Sequence, residues 1–172
     1  MRTVTALFVG LGSIGTRHLK NLANLCADRG WTLQADALRS DLSRPLRDGV
    51  AALLHAQYTD LTAAPAQYDM VFITNPTSLH AEALAQVKGR GGALFIEKPI
   101  FSAEQTGLAL ADYLPAGQKA YVAAPMRWCG VMLALKELLP ALHPYCARVI
   151  CSSYLPDWRP GVDYRTVYSA HK

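Results

Sequence analysis

Residues Val4 to His18 read VTALFVGLGSIGTRH, and the reading of this stretch decides the fold. The apolar run Ala6 to Val9 is short and ends directly in glycine, which predicts a buried parallel strand rather than a helix. Gly10, Gly12 and Gly15 follow. In that spacing the first glycine permits a tight turn, the second lets a pyrophosphate approach the backbone, and the third lets the next helix pack closely on the strand. The helix is expected from about Ser13 to Ala27. Its N-terminal amides and dipole favour an anion without any charged side chain, so Gly10, Gly12, Ser13, Ile14 and Gly15 are candidate cofactor contacts. A glycine-rich turn with no ligand and a methyltransferase-type fold with similar glycines are the alternatives at this point.

Outward from that stretch, the composition bounds the answer. A chain of 172 residues holds one domain with a proper core and is too short for two full-sized ones. Half of it is apolar (51%) and 17% is charged, which is the balance of a globular protein without low-complexity segments. The 17 basic residues exceed the 13 acidic ones by four but are scattered, with no run or aromatic-interleaved face, so no nucleic-acid surface is read. The apolar N-terminus is too short for a signal peptide, no cleavage-like site precedes Arg17, and no segment reaches the length of a membrane span. Cys26, Cys129, Cys146 and Cys151 show no CxxC spacing and no zinc-type interval with His143. Free thiols in a reducing cytoplasm, and no metal, are expected.

Along the chain, Thr32 to Leu38 reads as the second strand. An acidic residue after this strand accepts the ribose hydroxyls of NAD, whereas arginine and small hydroxyl residues suit the 2'-phosphate of NADP. Here Arg39 and Ser40 come first, with Asp41 one step on, so the reading is NADP with NAD as the alternative. A solvated loop charge is the other reading of Arg39. Residues 44–56 are expected to form a helix with Pro45 in its first turn, and Gln57 to Thr59 a short third strand. Tyr68 to Thr74 is a clear fourth strand, ending in Asn75-Pro76-Thr77-Ser78 at the carboxyl end where ligands bind in such sheets. Ser78 reads as the N-cap of a helix over Leu79 to Lys88, with His80 in its first turn as either a contact near the cofactor or an exposed helix-end residue.

Ala93 to Ile96 gives the fifth strand and runs into Glu97-Lys98-Pro99. A lysine at that strand end stands over the same crevice as the glycine loop, where its ammonium can hydrogen-bond a substrate hydroxyl. Pro99 is a candidate for a cis bond. Ser102 reads as the cap of a helix over Ala103 to Tyr113, and Lys119 to Ala124 as the sixth strand. The expected organisation is therefore an α/β Rossmann domain, a doubly wound parallel sheet over residues 1–124, followed by the beginning of a second α+β domain over 125–172. In that second part, Val131 to Leu139 reads as a helix ended by Pro140, and Arg148 to Tyr154 as a seventh strand. The aromatic, Arg and Asp residues of Leu155 to Lys172 suit either a sugar-type substrate surface or an interface strand.

Three motifs together carry a resemblance. Gly10-Leu11-Gly12-Ser13-Ile14-Gly15 with His18, Thr74-Asn75-Pro76 followed by His80, and Glu97-Lys98-Pro99 resemble, in order and spacing, the glucose-fructose oxidoreductase, inositol dehydrogenase and rhizopine-catabolism family. The likeness runs from Thr3 to the last residue. It implies a dinucleotide-binding Rossmann domain and hydride transfer at a hydroxyl-bearing carbon of a sugar or cyclitol. It implies Lys98 as the catalytic lysine that hydrogen-bonds the reacting oxygen, with Thr74, Asn75, Pro76, His80 and Glu97 around the cofactor. Arg127 falls where the family often has Asn-x-Arg, although Pro125 replaces that asparagine. Trp158, Arg159, Asp163 and Tyr164 resemble substrate residues of members that make surface-glycan sugars.

The resemblance further implies a second domain about as long again, which closes the site and forms a homodimer. The chain is accordingly expected to be a truncated form that binds cofactor and turns over little substrate. A stand-alone dinucleotide-binding module that senses the cofactor or binds a partner is the competing expectation.

Overall fold

The structure, a computed structural model, describes residues 1–47, 49–152, 154–158 and 161–166. It divides into two units, Met1–Ala123 and Ala124–Lys172.

In the first unit the strands are β1 (Thr3–Val9), β2 (Thr32–Leu38), β3 (Leu54–Tyr58), β4 (Tyr68–Ile73), β5 (Gly91–Ile96) and β6 (Lys119–Val122). They form one sheet in the order β3-β2-β1-β4-β5-β6, and every neighbouring pair is parallel. The chain builds outward from β1 to β3, then crosses back to place β4 on the other side of β1. That reversal opens a crevice at the carboxyl ends of β1 and β4, the place where such sheets bind ligands. Register aligns the ends: Leu38, Val9, Ile73, Ile96 and Val122 are successive partners across the sheet, so the loops after β2, β1, β4, β5 and β6 all leave from one edge.

Both faces of the sheet are covered, which is why β1 and β4 read as continuous apolar runs instead of alternating ones. Helix α1 (Ser13–Asp28) packs Leu19, Leu22 and Cys26 with Val4, Ala6, Phe8 and Phe72. Helix α2 (His80–Gln86) places Ala83 and Leu84 on the opposite core, with Leu7, Val9, Val71, Ile73 and Ile96. On the α1 face an aromatic row crosses four strands in register. Phe8 stacks on Phe72 at 4.4 Å between centroids, while Phe72 and Phe95, at 5.3 Å, and Phe95 and Tyr121, at 5.4 Å, meet at a tilt.

Several expected elements differ. Among the described residues of 44–56 no α-helix forms: Gly49 sits at φ +74°, outside the right-handed helical region, and a 3-10 turn at Ala51–Leu53 leads into β3, which starts at Leu54. Ser78 is not a helix cap. It lies inside a 3-10 turn, Thr77–Leu79, and α2 begins at His80 with no side-chain cap. The helix expected over Ala103 to Tyr113 reduces to a 3-10 turn at Leu110–Tyr113, because Thr106 and Gly107 lie mid-segment and the Gln105 side chain bonds back to Ser102 N–H and to the Ser78 carbonyl.

The second unit contains α3 (Gly130–Leu142) and α4 (Leu155–Trp158). Helix α3 continues through Pro140 and closes one turn later at His143, whose left-handed backbone (φ 43°) lets its N–H reach the Leu139 carbonyl. No strand forms among residues 148–152 and 154, which have no neighbour to pair with and are exposed. Val131, Leu135, Leu138 and Leu142 of α3 are all exposed.

Candidate functional site

Gly10 leaves β1 at φ +87° and receives an anchor on each side. Its N–H donates to the Leu38 carbonyl at 2.9 Å, and its carbonyl accepts the Thr74 hydroxyl at 2.6 Å. A Cβ on Gly10 would fall 2.8 Å from Asn75 Cα, and one on Gly15 would fall 2.7 Å from Thr74 Oγ1 and collide with the Gly10 carbonyl oxygen. These two glycines are therefore demanded by the protein itself, for the turn and for the approach of α1 to the sheet. Gly12 is different. Its backbone is extended (φ −69°, ψ −164°), a conformation any residue adopts, and a Cβ there would meet nothing within 4 Å. No described residue demands glycine at the start of α1; a Cβ there would project into open space.

The second motif is held against the first. Thr74 is buried and spends its hydroxyl on the glycine loop, so its part is to position that loop. Asn75 follows, its side-chain N–H donating to the Leu79 carbonyl at 3.1 Å, while Oδ1 is buried with no hydrogen-bond partner. Pro76 is exposed beside it. His80 is not an exposed helix-end residue. It is 1% exposed, with Nδ1 at 3.0 Å from the Ile100 carbonyl and Nε2 at 3.0 Å from the Asn75 carbonyl. A neutral ring carries one N–H and donates to one carbonyl at a time; both bonds together require both ring protons. Either way the ring clamps the loop after β4 to the loop after β5.

The third motif leaves β5 at the same edge. Glu97 N–H donates to the Ile73 carbonyl at 2.9 Å, and Lys98-Pro99 is a cis peptide. The Lys98 side chain is exposed. Glu97 turns inward, where Oε1 meets Nε2 of His18 at 2.7 Å and Oε2 accepts the backbone N–H of Lys98 at 3.2 Å. His18 lies edge-on to Phe95 at 4.8 Å, so the end of the aromatic row packs against the pair. Sequence reasoning used His18 only as part of a motif. Its spacing of one helical turn beyond Gly15 was the available signal that it faces the sheet end.

At the end of β2, the Arg39 guanidinium donates to Gln57 Oε1 at 2.7 Å and to the Arg44 carbonyl. Asp41 is occupied locally: its carboxylate accepts the Ser43 hydroxyl and N–H and pairs with Arg44, and the Ser43 bonds hold it below the usual carboxylate range. The remaining expected residues belong to the second unit. Arg127 is exposed in a 3-10 turn, Pro125–Trp128; Trp158 ends α4; Asp163 is exposed and Tyr164 half-buried; Arg159 lies outside the described residues. The described residues contain no group of three metal-type ligands and no helix long and apolar enough to cross a membrane.

The family description "oxidoreductase family, NAD-binding Rossmann fold" matches residues 4–122, which include all three motifs. The chain belongs to this glucose-fructose oxidoreductase, inositol dehydrogenase and rhizopine-catabolism family. Within the family it is 28% identical over 104 residues to the uncharacterized oxidoreductase YrbE of Bacillus subtilis (strain 168), covering 60% of this chain and 30% of that protein. Its fold is that of scyllo-inositol dehydrogenase from Lactobacillus casei, solved with NAD(H) and scyllo-inositol. The TM-score is 0.62 at 24% identity, over 81% of this chain and 42% of that one. It is likewise similar to the WlbA dehydrogenase from Bordetella pertussis, solved with NADH and UDP-GlcNAcA, with a TM-score of 0.61 at 18% identity over 82% and 42%. The chain thus spans less than half the length of these relatives.

The residues fit the dinucleotide of the family description. Gly12 leaves open the space at the N-terminus of α1, and the buried, unpartnered Oδ1 of Asn75 waits at the adjoining strand end.

Proposed function

We propose that this chain is the cofactor-binding part of an NAD(P)-dependent oxidoreductase acting at a hydroxyl or carbonyl carbon of a sugar or sugar derivative. The observation that carries the reading is Gly12, a glycine that the protein does not need and a phosphate does. Gly12, Ser13 and Ile14 present the first amides of α1 to the pyrophosphate, with Gly10 and Gly15 shaping the loop. Asn75 and Pro76 border the nicotinamide end. When bound, the nicotinamide supplies the acceptor or donor of the hydride. Lys98 hydrogen-bonds the reacting oxygen, and the Glu97 carboxylate fixes the Lys98 backbone. The bound sugar-type ligands of the scyllo-inositol and WlbA dehydrogenases support the substrate class, and the narrower assignment is to surface-glycan sugars.

The cofactor reading leans to NADP. Arg39 and Ser40 follow β2 ahead of any carboxylate; Asp41 is engaged with Ser43 and Arg44, and Arg39, which also donates to Gln57 and the Arg44 carbonyl, keeps its positive charge. The four thiols are all free, which supports a reducing, cytoplasmic setting. Calorimetric titration with NADPH and then NADH, at one ionic strength, tests the reading. NADPH is expected to bind more tightly, and Arg39→Ala to weaken NADPH about tenfold while sparing NADH, the cost of one charge-assisted contact. Failure of both nucleotides to bind overturns the reading.

A further inference from the structure

The outer face of α1 carries a second feature, which shares only Ser13 with the dinucleotide loop. Ser13, Thr16, Arg17, Lys20 and Asn21 recur at helical spacing on one side and, with Arg47 from the segment after β2, line an open groove of about 620 Å³. The Arg17 and Arg47 side chains are exposed and make no hydrogen bond or ion pair among the described residues. Lys20 also lines the groove but already has a partner. No carboxylate is among the lining residues, and α1 has no acidic side chain in its first turn. Two guanidinium groups therefore line one groove near the positive end of a helix, with no carboxylate among the lining residues.

Thr16 supplies an independent observation. It is 6% exposed and sits in the groove wall, yet its hydroxyl has no hydrogen-bond partner. Thr16 lies in the first turn of α1, its backbone N–H already donating to the Gly12 carbonyl at 3.0 Å, and buried hydroxyls are nearly always satisfied.

We propose that this groove binds a phosphate-ester dianion. Planar guanidinium forks match phosphate oxygens, and Ser13, Thr16 and Asn21 add neutral donors. The groove is larger than a lone phosphate and within the range of small-molecule sites, about 300–1,000 Å³, so it has room for the organic part of an ester. The phosphate comes either from a separate metabolite or from the extra phosphate of the dinucleotide. Apart from Ser13, the lining residues are not those assigned to the dinucleotide loop.

The test is a titration of the whole chain with inorganic phosphate at fixed ionic strength, with chloride as control, followed by the backbone amide NMR signals of α1. Saturable shifts over residues 13–21 are expected. Arg17→Gln with Arg47→Gln should weaken them about tenfold or more. Thr16→Val, which keeps the side-chain shape, should weaken them several-fold; if the double variant does not fold, it and the single arginine variants carry the test. Shifts that match chloride, or that are unchanged in these variants, overturn the proposal. NADPH and NADH titrations of the arginine variants then separate the sources. Selective loss of NADPH affinity assigns the groove to the phosphate of the nucleotide, and unchanged affinity for both assigns it to a separate ester. Because inorganic phosphate contains no dinucleotide, failure here is distinguishable from failure of the cofactor reading.

Discussion

Nε2 of His18 and Oε1 of Glu97, 79 residues apart in the chain, lie 2.7 Å apart, and the other oxygen of that carboxylate accepts the backbone N–H of Lys98. One side chain of α1 thereby holds the loop on which the candidate catalytic lysine stands. Both groups are mostly buried, at 17% and 13% side-chain exposure, so this is not a screened surface pair. His18→Ala is expected to lower unfolding free energy by about 1–3 kcal/mol, because it strips a partly buried carboxylate of its partner. Denaturant unfolding measures it, and a loss under about 0.5 kcal/mol would place the pair with ordinary surface contacts.

The three glycines separate structure from ligand. Gly15→Ala drives a Cβ into the Gly10 carbonyl and the Thr74 hydroxyl and is expected to cost about 3 kcal/mol or more in stability, as overpacking against backbone does. Gly12→Ala should leave stability within about 0.5 kcal/mol of the parent, as at an open site. The same substitution should lower dinucleotide affinity about tenfold or more, since each 1.4 kcal/mol lost is a factor of ten. Thermal unfolding and calorimetry on the same two variants decide both.

Asp36 is buried in β2, where its carboxylate accepts the Tyr68 hydroxyl at 2.8 Å and lies 3.1 Å from His55 Nδ1. Burial, with the hydrogen bond to Asp36, pushes the Tyr68 phenol well above its ordinary range. A raised folded value stabilises the fold fully below the unfolded phenol pKa, about 10, and that contribution is lost as pH rises beyond it. Tyr68→Phe is expected to cost about 1–3 kcal/mol at neutral pH by leaving Asp36 short of a donor, and to flatten the alkaline loss. Some slope remains from Tyr58, also raised by burial. Stability measured from pH 7 to 11 in both proteins checks the sign.

The apolar side chains of α3 are exposed in the second unit. Leu138→Glu with Leu142→Glu is expected to reduce binding of a hydrophobic dye while leaving unfolding within about 0.5 kcal/mol, because neither side chain is packed. A larger loss of stability would show that they are.

What was legible in the sequence was whatever the sheet buries on both sides. The runs around Leu7, Val71 and Leu94 are apolar because helices cover both faces, and their strands fall where the runs do. Residues 44–56 failed because apolar periodicity in Leu46, Val50 and Leu53 serves equally for a loop that drops side chains onto the core beside α1, and Gly49 chooses the loop. The strand expected over Arg148 to Tyr154 failed because a strand needs a neighbour, which composition does not supply. In the candidate site, the tight turn at Gly10 and the close approach at Gly15 were legible from the glycine spacing, whereas the role expected of Lys98 came from the resemblance of three motifs taken together. The His18–Glu97 pair, the His80 clamp and the aromatic row were not, since each joins residues that only the strand register brings together.

Strand β1 is made before the five strands that follow it and lies inside the finished sheet, flanked by β2 and β4. During synthesis its β2 side can close once Leu38 has emerged, but its β4 side has no partner until Ile73 follows. At about 5–20 residues per second that gap leaves the edge of an apolar strand open for roughly 2–7 seconds. The order of the strands thus makes the newborn chain most prone to pair with another copy of itself in the interval between its second and fourth strands, when the glycine loop has its Leu38 anchor but still lacks Thr74.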